Sequence, residues 1–241
     1  MGNSKGLLKM IVLSMMIAIG VVISPILRVE GMCPMAHFVN VVCAVFLGPW
    51  YSLLCATFIG MIRMVLMGIP PLALTGAIFG AFLSGVFYRG SKGKLICAVI
   101  GEVFGTGIIG AIMSYPVMTF LWGREGLSWM FYVPSFICAT LIGGSIAYVF
   151  LQKLADNGML VKIQKMLGSS CYTSQTSILS NTFTIVALGS IFFVALEIVI
   201  TIFPLKAKIW SYIPYVSLVV CIIAAIIYAI VKKRKEVHIN D

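Results

Sequence analysis

Charge is what this sequence has least of. Of its 241 residues only 10% are charged, with 7 acids and 2 histidines, against roughly 25% charged positions in a soluble globular domain. A mean hydropathy of +1.10 and a 61% hydrophobic composition exclude a water-soluble fold. Catalytic signatures are missing too. There is no H-E-x-x-H and no G-x-S-x-G, and Gly90-Ser91-Lys92-Gly93-Lys94 lacks both the spacing and the hydroxyl residue of a nucleotide-binding loop. The chain is therefore not read as an enzyme, and any ATP-driven step requires another protein to hydrolyse the nucleotide. The cysteines (33, 43, 55, 97, 138, 171, 221) form no C-x-x-C pair and lie mostly in apolar runs, where Cys behaves as a small hydrophobe. Neither a disulfide framework nor a metal site is supported, and no cofactor is expected.

What the sequence has in abundance is uninterrupted apolar length. Met10–Leu27, Phe38–Ile62, Met64–Tyr88, Gly126–Gln152 and Ile209–Val231 carry no acid or base, while Leu95–Gly123 and Ile178–Leu205 are broken only by Glu102 and Glu197. Each reaches the ~18–20 residues that cross ~30 Å of hydrocarbon. The net charge of +10 sits in short clusters between these runs, not in a stripe that could track a nucleic acid, so it is read as a topology signal. Lys5 and Lys9 precede a run too long for a secretory leader and without a small-x-small cleavage site. That run is read as the first membrane helix.

Residues 38–67 form one long helix or two short ones. Pro49 removes a backbone donor and Gly48 makes reversal easy, which favours a tight turn. With the turn there are eight spans near 8–27, 36–47, 50–67, 72–88, 95–122, 128–153, 183–203 and 211–231. A cytoplasmic N-terminus then leaves only Arg28, Arg63, Arg124, Lys206 and Lys208 of the 17 basic residues outside. Seven spans give a poorer separation, so both chain ends are expected in the cytoplasm, at a multi-pass cell-membrane location. The segment 155–181, with Asp156-Asn157-Gly158 and a Thr/Ser/Gln run, reads as a polar cytoplasmic linker. It divides a six-helix domain (1–154) from a two-helix extension (182–241) that ends in a basic cytoplasmic tail. The fold class expected is an all-α integral membrane protein.

An ionisable residue within a span costs roughly 2.5–3.5 kcal/mol on insertion scales and calls for a reason. Glu102 lies in Gly101-Glu102-Val103-Phe104-Gly105-Thr106-Gly107-Ile108-Ile109-Gly110, with Thr106 one turn on along the same face. It is either a hydrogen-bonded structural acid or a group that meets a polar ligand or carries a coupling proton. Glu197 is read as structural. His37 and Asn40, at i and i+3, share a helix face and offer hydrogen bonds to a small heteroaromatic; an exposed helix start is the alternative for His37. Tyr115-Pro116 breaks the fifth helix, either at a cavity or as a simple kink. Tyr115 falls ~220° around an ideal helix from Glu102, so only an irregular helix lets both face one site. Arg63 is read as an interfacial side chain reaching toward headgroups. On the first helix Ser14-x-x-x-Ala18 makes a small-residue packing face.

Three stretches together resemble the substrate-binding (S) subunits of energy-coupling-factor (ECF) vitamin transporters, specifically the ThiW type. They are Gly20–Pro25 with Cys33-Pro34-Met35-Ala36-His37-Phe38-Val39-Asn40-Val41, then Leu47-Gly48-Pro49-Trp50-Tyr51 through Arg63 to Gly76–Phe82, and lastly Gly101–Gly110 with Ser114-Tyr115-Pro116-Val117. The resemblance covers about residues 8–153 and implies a six-helix subunit that captures a thiamine precursor, a hydroxyethylthiazole, from outside. It implies partners as well: a membrane-embedded EcfT-type coupling protein and two cytoplasmic ATPases. The family's Ala-x-x-x-Ala docking surface falls on Ser14 and Ala18, with Ser in place of the first Ala. The substrate-binding candidates are His37, Asn40, Glu102, Thr106 and Tyr115. Two other readings stay open: an autonomous carrier with Glu102 as proton site, and a membrane scaffold whose polar residues only join helices.

Overall fold

The computed structural model describes residues 2–26, 32–172, 182, 186, 189, 193 and 213–240. Met1–Ser174 form one compact unit and Gln175–Asp241 another. Every regular element among the described residues is helical, as the apolar runs require in a solvent that cannot satisfy open backbone groups.

In the first unit the helices are α1 (Gly2–Ile23), α2 (Pro34–Leu47), α3 (Pro49–Met67), α4 (Leu72–Gly90), α5 (Leu95–Leu121), α6 (Val133–Asp156) and a short α7 (Met159–Leu167). Five of them, all but α2 and α7, are long and apolar enough to cross a bilayer. The turn at Gly48-Pro49 is present. Gly48 adopts φ +95°, ψ 180°, a backbone region closed to residues with a Cβ, and Pro49 opens α3 where its missing N–H costs nothing. α6 begins at Val133, five residues later than the sequence reading, because Pro134 fits only a first helical turn.

The 14-residue α2 is the axis of the unit, touching α1, α3, α4, α5, α6 and α7. Leu13 of α1, Val39, Cys43 and Leu47 of α2, Cys55 and Ile59 of α3, and Leu167 of α7 form one buried cluster. α4 and α5 meet along glycines. A Cβ at Gly105 would lie 2.6 Å from Gly80 Cα, and one at Gly110 would lie 2.8 Å from Gly76 O, the close backbone approach that small residues permit between membrane helices. The first turn of α2 is seated against the middle of α6: a Cβ on Gly143 would meet the Pro34 carbonyl and lie 2.9 Å from His37 Cβ. α5 is continuous but irregular, with π-helical turns at Gly105–Gly110 and Val117–Leu121.

The segment expected to be a polar linker, 155–181, is described as far as Tyr172. Its first part carries α7, and the first unit extends to Ser174. Leu160, Gln164 and Leu167 lie on one helical face and are buried, while Lys162 and Lys165 are exposed. The Gln164 amide donates to Val45 O and to Tyr88 Oη, both at 3.0 Å, tying α7 to α2 and α4. In the second unit α8 spans Ile213–Asn240, and Thr182, Val186, Gly189 and Phe193 are helical. Glu197 lies outside the described residues.

Candidate functional site

α2 and α5 each present two polar side chains one turn apart, and all four meet. Glu102 is fully buried, and its Oε1 receives His37 Nδ1 at 2.8 Å, Asn40 Nδ2 at 3.0 Å and Thr106 Oγ1 at 3.2 Å. Asn40 Nδ2 also reaches Ala77 O of α4 at 3.3 Å, and Ser52 Oγ donates to Asn40 O at 3.0 Å. An ionised carboxylate is an acceptor only, and the three converging donors answer one of its two oxygens. The arrangement needs Gly80: a Cβ there would lie 2.8 Å from Glu102 Oε2 and would collide with Thr106 Oγ1. Glu102 Oε2 is buried and has no hydrogen-bond partner.

With Nδ1 held as the donor to Glu102, a neutral His37 imidazole carries its free lone pair on Nε2. His37 is 7% exposed, and what it borders is a cavity of about 520 Å³, within the size range of small-molecule sites. The cavity lies among the first turn of α2, the end of α3, the start of α4 and the start of α6. Its walls are mostly apolar, with Ile69, Leu72, Phe131 and Phe136 supplying the bulk. Glu102 does not line it and connects to it through His37.

Tyr115 is not brought to this cluster. Despite the π-helical turns nearby, its half-buried ring stacks on Trp129 with centroids 4.4 Å apart and does not line the cavity. Ser14 and Ala18 are exposed on α1 beside Met15 and Ile19, away from the cavity. Among the described residues no group of three or more His, Cys, Asp and Glu side chains could hold a metal.

The sequence reading missed Arg63. It was placed at the interface, but it is 4% exposed and lines the cavity. Ile69 and Pro70 of the turn after α3 line the same cavity, and the side chain is buried inside the body instead of standing at its surface. A lone base between two charge-free runs was the available signal. Tyr132, 3% exposed, and the exposed Arg124 also border the cavity.

No curated protein and no solved structure matches the chain. A family model does: residues 10–157, which take in all six helices of the body and every side chain of the cluster, match the thiamine-precursor transporter protein (ThiW). A helical membrane body with a buried polar cluster beside a small-molecule cavity is what transport of such a precursor needs, and the chain belongs to the ThiW family of thiamine-precursor transporters.

Proposed function

We propose that this chain is the substrate-capture subunit of an ECF-type importer, taking a hydroxyethylthiazole from outside and passing it on through an EcfT-type coupling protein driven by two ATPases. The observation that carries the reading is the cavity of about 520 Å³ bordered by His37 at one end of the helical body. A small aromatic alcohol needs apolar walls and a few fixed polar groups, and the Glu102-held imidazole is such a group. The cavity lies at the end where α1 leads into α2, α3 into α4 and α5 into α6, which the distribution of basic residues assigns to the outside. His37 meets the ligand directly in this reading, while Asn40, Glu102 and Thr106 fix its orientation. Tyr115 would enter only through its contact with Trp129. On the exposed side of α1, Ser14 and Ala18 are small residues one turn apart beside the larger Met15 and Ile19, a pattern that admits a partner helix.

The test is uptake of radiolabelled thiazole in a heterologous host, with and without the coupling module. Uptake only with the module is expected. Uptake without it would make the chain an autonomous carrier, and none in either case would make it a scaffold. Ala18→Trp should abolish module-dependent uptake and leave ligand binding by the isolated protein intact; equal loss of both would place that face in the protein's own core.

A further inference from the structure

Arg63 is a buried cation without an anion. A guanidinium is a cation with five N–H donors and no acceptor, and leaving such a charge unpaired in a low-dielectric interior is strongly unfavourable. Yet its Nε is buried without a hydrogen-bond partner, and among the described residues Arg63 forms no ion pair and no ring contact. Among the described residues that line the cavity it borders there is no carboxylate. Glu102, the buried acid of this unit, is turned to His37, Asn40 and Thr106 instead. A second group repeats the pattern independently: Tyr132 lines the same cavity, and its Oη is buried without a partner. Arg124, exposed on the cavity border, adds a further positive charge.

We propose that the cavity is built for an anionic ligand, a heteroaromatic ring bearing a phosphate monoester or a carboxylate, whose acidic group is bound by Arg63 and Tyr132 with Arg124 at the border. This deepens the reading above and rests on it, because the ring is still taken to be that of the thiamine precursor. The guanidinium fork matches two oxygens of either anion. The hydroxyl of Tyr132 supplies another donor, and the His37 side of the cavity remains for the ring and its neutral polar atoms. A bare thiazole alcohol would leave the charge of Arg63 unanswered and part of the cavity unfilled.

The full chain, purified in nanodiscs, is titrated calorimetrically with three probes: hydroxyethyl-methylthiazole, its phosphate monoester, and a methylthiazole carboxylate. One anionic probe is expected to bind at least ~10-fold tighter than the alcohol, as a charge-assisted bidentate contact should exceed a neutral one. Which of the two wins identifies the anion. Arg63→Gln should erase the preference, read as the ratio of anion to alcohol affinity in the same variant, and Arg63→Lys should keep part of it, because charge survives without the fork. Arg124→Gln, at an exposed and screened position, should reduce it only about 2–5-fold. Equal or tighter binding of the alcohol to the unaltered protein overturns the proposal and leaves the thiazole reading standing. A preference that persists in Arg63→Gln also overturns it. If none of the three probes binds, the thiazole reading itself falls and the anionic ligand with it.

Discussion

The first unit contains two buried polar centres built from similar hydrogen bonds, and they differ in what their partners reach. The Gln164 amide joins α7 to Val45 O and Tyr88 Oη, and none of these residues borders the cavity. The Glu102 carboxylate joins α5 to α2, and one of its partners, His37, does border it. Both are buried and hydrogen-bonded across helices, and each keeps one buried oxygen without a partner, Glu102 Oε2 and Gln164 Oε1, so none of these features by itself marks a ligand site. What separates a polar joint from a binding site is access through a partner side chain, and the acid at the second centre works at one remove.

Breaking the carboxylate centre should have the largest effect. Glu102→Ala strands the His37 and Asn40 donors, a change that costs about 3–5 kcal/mol when a buried partner is lost. Titration with thiazole ligand should show at least a ~30-fold weaker affinity. Glu102→Gln keeps an acceptor oxygen and should lose only about 5–30-fold. Unchanged affinity in both variants would reduce Glu102 to the status of Gln164. Gln164→Ala should do the opposite, lowering stability by about 1–3 kcal/mol in thermal unfolding while ligand affinity stays within about 2-fold. Weakened binding there would merge the two centres. Smallest of all, Tyr115→Phe keeps the ring contact with Trp129 and should change affinity by less than about 2-fold; a greater loss would put its hydroxyl in the path of the ligand.

The first six helices are legible in the sequence because lipid imposes length and apolarity on each, and their observed limits differ from the expected ones by only a few residues apart from the ends of α1. His37, Asn40, Glu102 and Thr106 were legible for the same reason, since polar side chains at such depth must find one another. Tyr115 lay out of register with Glu102 on a regular helix, and the π-helical turns do not turn it into the cavity. α7 escaped notice because its buried face consists of Leu160, Gln164 and Leu167 among lysines, too short and too polar for a pattern read over long windows. Arg63 was misplaced because its position near the end of an apolar run looks the same whether the side chain stands at the surface or is buried inside the body.

The shortness of α2 sets how deep the ligand sits. Fourteen residues rise about 21 Å, and Gly143, which meets Pro34, lies ten residues into α6, about 15 Å from its start. His37, in the first turn of α2, therefore lies beside the middle of α6 and borders the cavity there, about 15 Å along α6 from its start. In the proposed reading, a ligand that reaches His37 gives up much of its contact with bulk water, so its departure requires rehydration and the depth of the cavity bears on residence time as well as on affinity.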